Sequence, residues 1–331
     1  MKRRDFMKLS AGLGALATLT PLSPARAQAK SVFKASDVQP PGYPTVAATE
    51  NLGKKLEAAT NGRLSLQMFP SMQLGGEKET IEQTQIGAIQ MLRVSVGTMG
   101  PIVDDINVIN MPFLFKNTAH AQRMMDGPIG QELLDKVTAS PNAGLVALGW
   151  MDSGARSLYN TKKPIKTIED LKGMKFRVIG NPIFVEMMNA LGGNGVAMGY
   201  DQVFSSLQTG VIDGAENNPP SYVFSNHYTA AKYYSLTEHL IIPELLLFSK
   251  KAWTALSSED QGLLKQFARE AQMEERELWK KYEQTAMEKA KAAGCEITEI
   301  ADKAPFQNAV KPVWDKYGPK YQDMIKRIQT V

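Results

Sequence analysis

Two rhythms run along this chain, one of period two and one near 3.6, and the switches between them predict its elements. Val32–Val38 reads as a strand. From Thr45 to about Thr60, Leu52, Leu56 and Ala59 share one helical face, and Asn61-Gly62 ends the helix. Leu64–Phe69 alternates apolar and polar residues as a second strand. Glu77–Ile86 follows as a helix and Ala88–Val94 as a third strand. This β-α-β-α-β order predicts a mainly parallel sheet covered by helices.

A second unit repeats the pattern. Leu145–Met151 is a strand running into Asp152-Ser153-Gly154, a crossing point between units. Met174–Ile179 is a strand, and Pro182–Leu191 a helix with proline in its first turn. Val196–Met198 and Val211–Ala215 are strands on either side of an Asp201–Thr209 helix, and Leu245–Ser249 is a later strand. From Ser258 to about Ala292 there is no proline, and Gly262 is the only glycine. Ser258 with Gln261 reads as a capping box and Gly294 as the stop. The result is a helix of about 50 Å, at roughly 1.5 Å per residue. Its polar content predicts a surface strut bracing two lobes.

Composition fits this plan and removes other classes. The chain has 331 residues, 43% hydrophobic and 22% charged, which suits two domains or one large α/β unit and not a disordered or polytopic membrane chain. Its single cysteine, Cys295, excludes an internal disulfide and reads as a structural thiol. The net charge of +4 resides in residues 1–27, where Lys2, Arg3, Arg4, Lys8 and Arg26 face Asp5 alone; the rest has 33 basic and 33 acidic residues. Residues 1–27 read as an export signal. A basic start precedes the apolar stretch Leu9–Leu19, and Ala25-Arg26-Ala27 and Ala27-Gln28-Ala29 both offer cleavage sites. Arg3-Arg4-Asp5-Phe6-Met7-Lys8 resembles the twin-arginine motif, so the expectation is a folded protein exported to the periplasm. Gly12 to Ala17 imitates a dinucleotide fingerprint, but no strand precedes it and it falls in the cleaved segment.

Catalytic signatures are sparse. His120, His227 and His239 form no zinc spacing, and there is no G-x-S-x-G elbow and no Walker loop. Ser31 and Lys34 match S-x-x-K without its companion motifs. Basic residues are interleaved with acids, so no nucleic-acid partner is expected. Polar chemistry concentrates mid-chain instead. Arg156 follows the crossing, Arg177 interrupts the apolar run Phe176–Ile179, and Asn217 lies in the turn Asp213–Pro220. Ligands of open α/β sheets bind beyond the carboxyl ends of strands. There a guanidinium fork suits a carboxylate and an asparagine amide suits a hydroxyl or carboxylate oxygen.

At these residues the chain resembles a known family. Leu148–Arg156, Asp170–Val178, Gln208–Asn218, Lys232–His239 and Gln73–Glu77 are similar to signatures of the DctP-type periplasmic solute-binding subunits of TRAP transporters, over about residues 31–325. The resemblance implies a type II-like, two-lobe α/β periplasmic binding protein with a hinge and a long bracing C-terminal helix. Residues 30–152 plus 243–281 would form lobe I, and 153–242 plus 282–331 lobe II. It implies a monomer without cofactor that closes on a small organic acid and delivers it to ion-gradient-driven TRAP permease subunits. Arg177 falls on the family's carboxylate-pairing arginine, Arg156 on a second ligand arginine, Asn217 on the ligand asparagine and Tyr200 on a pocket position. Glu77 and Arg93 fall on first-lobe positions facing the ligand. Related sugar-acid binders often carry histidine where this chain has Gln39, ahead of Tyr43-Pro44-Thr45. The expected ligand is a uronate or aldonate, with a C4-dicarboxylate next. The competing readings are a periplasmic hydrolase or lyase using Glu77 or Glu216, and an ABC-type binding protein or a subunit feeding a sensor; Glu216 is otherwise expected to orient its neighbours.

Overall fold

Among the described residues eleven strands build two sheets: β1 (Ser31–Ser36), β2 (Leu64–Phe69), β3 (Met91–Ser95), β4 (Leu145–Met151), β5 (Arg156–Asn160), β6 (Lys175–Val178), β7 (Asn194–Ala197), β8 (Gly214–Asn217), β9 (Tyr233–Leu240), β10 (Glu244–Ser249) and β11 (Glu296–Glu299). The computed structural model describes residues 30–331. The export segment, with its twin-arginine motif, lies outside the described residues.

The first sheet runs β2-β1-β3-β10-β4 and the second β11-β9-β5-β8-β6-β7. In the first, β1 pairs in parallel with β2 and β3, while β10 is antiparallel to β3 and β4. In the second, β6 is parallel to β7 and β8, and β5 is antiparallel to β8 and β9. The chain crosses between sheets at Asp152–Ala155, at Ile241–Pro243 and along the helix Ser258–Ala292. Strands β3, β5 and β8 are buried along their whole length. A charged side chain in such a strand must find a partner or a ligand.

Local chemistry explains the helices near the cleft. Pro44 opens the helix Pro44–Ala59, and Asn61 and Gly62 end it at positive φ. Asn218 caps Pro219–Phe224, its Oδ1 accepting from the Ser221 backbone N–H at 2.8 Å. The helix Glu77–Gln85 starts with Glu77 and Glu79 in its first turn, where the helix dipole favours negative charge.

The 35-residue helix Ser258–Ala292 is about 52 Å long at roughly 1.5 Å per residue. It is less of a surface strut than its composition suggests. Leu264, Phe267, Ala268 and Ala271 enter the core beneath the first sheet, Ala286 and Ala290 enter that of the second, and Trp279 packs on Tyr43 between them. Its cap is Ser257 rather than Ser258, the Ser257 hydroxyl accepting from the Asp260 N–H at 3.1 Å. Its middle pins the first crossing: Glu275 Oε2 accepts from the Asp152 N–H at 2.8 Å, and Arg276 pairs with Asp152 and Asp126. Gly154, at φ +58°, passes so close that an added Cβ would lie 2.7 Å from Glu283 Oε1. Among the described residues no helix is long and apolar enough to cross a membrane.

Three other sequence expectations shift. Ala59 is exposed, and Ala48, Leu52 and Leu56 form the buried stripe. The strand expected at Val211–Ala215 lies at Gly214–Asn217, with Val211 56% exposed, because pairing begins where the Asp213 N–H donates to Lys175 O. This moves Glu216 and Asn217 from a turn into the strand. Strands β5, β9 and β11 were not expected.

Candidate ligand-binding cleft

Between the sheets lies a narrow cavity of about 30 Å³, well under the roughly 300–1,000 Å³ of open small-molecule sites, so the two walls stand close together. Gln39, Glu77, Arg93, Arg156, Arg177, Tyr200 and Asn217 all line it, together with Val38, Ser95, Ile179, Ser221 and Glu244. Sheet topology explains the convergence. Arg177 is near the carboxyl end of β6 and Asn217 ends β8, parallel neighbours. Arg156 opens the antiparallel β5, so it arrives at the same edge, with Ser157 opposite Asn217. Across the gap, Arg93 is central in β3 and Ser95 ends it, and Glu244 opens its antiparallel neighbour opposite Ser95.

Each arginine has a different set of partners. Arg156 grips Glu216 with two nitrogens, Nε to Oε2 at 2.6 Å and Nη2 to Oε1 at 2.8 Å, and donates from Nη1 to Asn217 Oδ1 at 2.7 Å. Burial opposes both charges, yet each stabilises the other. The Arg156 pKa lies above the ordinary arginine value, and Arg156 with His239 pulls Glu216 down to about 2. Glu216 is therefore ionised and tied to Arg156, which suits a buttress and not an acid or base.

Arg177 is almost unpaired. Its Nε donates to Met198 O at 2.8 Å, and its guanidinium lies 5.8 Å from the centre of the Tyr200 ring. Among the described residues no carboxylate is within ion-pair distance. Burial lowers its pKa, with Glu216 opposing more weakly. Beside it, Asn217 Oδ1 already accepts from Arg156 and from the Asn218 N–H at 2.9 Å. That fixes the amide so that Nδ2 is left to donate. Tyr200 is held by a 2.6 Å hydroxyl contact to Ser225, and burial raises its pKa.

On the other wall, Arg93 has three carboxylate partners. It bonds Asp37 through Nε and Nη2, Glu77 Oε1 at 3.1 Å and Glu244 Oε2 at 3.0 Å. The second arginine expected to meet ligand is thus largely committed to the protein. Burial opposes its charge, but the three acids hold its pKa well above the ordinary value. Burial, reinforced by Glu77, leaves Glu244 with a raised pKa despite Arg93. Glu77 also accepts from the Ser95 N–H at 3.1 Å and from the Thr98 hydroxyl. Asp37 and Glu244 were not singled out from sequence. Glu244 carries a related signal, a lone charge at the head of the apolar run Leu245–Phe248.

Protein contacts also bridge the two walls directly. Gln39 Nε2 donates to Ser221 Oγ at 3.2 Å, the Tyr43 hydroxyl is 3.0 Å from the same Oγ, and Asn181 Nδ2 donates to Gly97 O at 3.0 Å. At Gly97 the walls meet so tightly that an added Cβ would lie 2.7 Å from Phe184.

Residues 35–320 match a family described as bacterial extracellular solute-binding protein, family 7 (DctP). A TRAP periplasmic solute-binding protein from Pseudomonas putida, solved with bound D-glucuronate, is 55% identical. It superposes with a TM-score of 0.89 over 91% of this chain and 97% of that one. A similar protein from Citrobacter koseri with bound D-glucuronate is 48% identical, with a TM-score of 0.89 over 91% and 99% of the two chains. An open, ligand-free form of the Citrobacter protein gives 45% identity and a TM-score of only 0.80 over 90% and 98%. The conformation described is therefore nearer the ligand-bound form.

Proposed function

The chain belongs to the DctP family of bacterial extracellular solute-binding proteins, family 7, and from that premise we propose that its cleft captures a hexuronate of the D-glucuronate class for a TRAP permease. The observation that carries this reading is the buried, carboxylate-free fork of Arg177 beside the open Nδ2 of Asn217. A ligand carboxylate would complete the missing ion pair in a desolvated setting, where charge-assisted hydrogen bonds are strongest. Arg156 positions the Asn217 amide, Tyr200 covers the guanidinium, and Gln39, Glu77 and Arg93 close from the other wall. The glucuronate bound by the Pseudomonas and Citrobacter relatives supports the same class.

The moving bodies are residues 30–152 plus 243–281 and 153–242 plus 282–331, hinged at the crossings. Ligand drives closure because only the closed form offers both walls at once. The family works in the periplasm. Export of this chain rests on residues 1–27 through the twin-arginine route, so replacing Arg3 and Arg4 by lysine should leave the precursor in the cytoplasm on fractionation.

Calorimetric titration of the purified mature protein tests the ligand. D-glucuronate or D-galacturonate should bind one per monomer, with C4-dicarboxylates and neutral hexoses far weaker. Binding confined to neutral sugars, or to dicarboxylates, would overturn the assignment. Recovery of unchanged uronate after denaturation is expected; turnover would point to the competing enzymatic reading.

A further inference from the structure

The unengaged polar atoms of the cleft are sorted by wall. On the second-sheet side they are donors, the terminal nitrogens of Arg177 and Nδ2 of Asn217. On the first-sheet side the prominent ones are acceptors. Gln39 Oε1 is buried without a hydrogen-bond partner, and only Oε2 of Glu244 is engaged among the described residues, leaving Oε1. The donors remaining there are one Nη2 hydrogen of Arg93 and the Ser95 hydroxyl. Arg93 is outnumbered three to one by Asp37, Glu77 and Glu244.

Resting on the uronate reading, we infer that Glu244, with Gln39 beside it and the Asp37–Glu77–Arg93 cluster behind it, is a specificity filter that accepts hydroxyl groups and rejects a second carboxylate. Hydroxyls at the end of the ligand remote from Arg177 donate to Glu244 Oε1 and Gln39 Oε1, satisfying two buried acceptors at once. A carboxylate in that place has no proton to donate. It would confront acceptor oxygens and a wall already in anionic excess, the like-charge arrangement by which sites exclude wrong partners. Arg156 offers no relief, because Glu216 already balances it. Burial, and after it Glu77, already pushes the Glu244 carboxyl upward despite Arg93, so this dry wall resists further negative charge. The site therefore takes sugar monoacids and excludes aldarates and other diacids.

A matched ligand series tests the filter. D-glucuronate, L-gulonate and D-glucarate share a carbon skeleton and differ only at the carbon farthest from the common carboxylate, which is an aldehyde in ring form, an alcohol or a second carboxylate. Calorimetry on the wild-type protein should show glucuronate and gulonate binding, with glucarate weaker by about 100-fold or more. Glu244→Gln keeps the shape and removes the charge, so it should narrow the glucuronate-to-glucarate ratio by at least about tenfold. A melting curve on each variant verifies the fold. Glucarate bound as tightly as glucuronate by the wild type overturns the filter and leaves the uronate reading standing. A ratio unmoved in folded Glu244→Gln overturns the role of Glu244. Failure of all three ligands to bind overturns the uronate reading and the filter built on it.

Discussion

Arg177 and Arg93 are alike in setting and unlike in company. Each lies in an interior strand, 3% and 4% exposed respectively, and both line one cavity. Among the described residues Arg93 meets three carboxylates and Arg177 meets none. A buried charge costs free energy unless paired. The protein meets that cost for Arg93 with its own acids and leaves it standing at Arg177. The two walls thus divide the work. One stores an unfulfilled ion pair for the ligand carboxylate, while the other is an internally bonded, acid-rich surface suited to hydroxyls.

Arg177→Ala gives the largest expected effect. It should weaken uronate binding at least about 1,000-fold, or about 4 kcal/mol. The ligand-free melting temperature should hold or rise, because no protein ion pair is lost and a desolvated charge is removed. Calorimetry with thermal melts checks both. Unaltered affinity would take Arg177 out of the site, and a large fall in ligand-free stability would erase the contrast with Arg93.

Arg93→Ala should act in the opposite way, lowering stability by about 3–5 kcal/mol because three carboxylates are left facing one another. The Glu244 pKa, already raised by burial despite Arg93, would then rise further above its unfolded value. Stability from such groups is present below the unfolded pKa and is lost as pH rises through the folded pKa. The deficit against wild type should therefore shrink between pH 7 and pH 5 in denaturant melts. A deficit that does not change with pH would mean that packing, and not charge, is what Arg93 supplies.

What the sequence made legible follows the range of the interactions. The helix at Pro44–Ala59 and the strand Leu64–Phe69 were readable because their caps and alternation are local. Strand Arg156–Asn160 was missed because Arg-Ser-Leu-Tyr-Asn has no alternation; it is a strand by virtue of β8 and β9 on either side. The strand near Asn217 was displaced because its register is set by β6, with Phe176 opposite Gly214 and Arg177 opposite Ala215, and not by its own apolar pattern. The seven cleft residues were named through family resemblance, since residues alone pointed only to Arg156, Arg177 and Asn217. Asp37 and Glu244 escaped because their meaning is their shared hold on Arg93, a contact across strands remote in sequence.

The smallest effect concerns how far the unpaired charge of Arg177 is felt. His227 is buried, stacks on Phe204, lies 5.5 Å from the Tyr200 ring and shares a 2.7 Å hydrogen bond with the Tyr159 hydroxyl. Burial, then Arg177, pulls its pKa down to about 3. A group whose folded pKa is depressed contributes stability above its unfolded pKa, here near 6.5, and that stability is lost as pH falls toward 3. From pH 7 to pH 5 the loss from this histidine alone is about 2 kcal/mol. Glu244 and Glu275, whose pKa values are raised, act in the other direction. The measurement is therefore the difference between wild type and His227→Gln, in which those carboxylates cancel. The stability of wild type relative to the variant should fall by about 2 kcal/mol from pH 7 to pH 5. Followed by NMR, the titration of folded His227 should move to higher pH in an Arg177→Ala background, because burial then acts without the neighbouring cation. In an Arg93→Ala background it should be unchanged, since Arg93 is screened by its own three acids. Equal effects in both backgrounds would show that the two arginines do not differ in the charge they present to the second lobe, and the division of labour between the walls would fail at its electrostatic root.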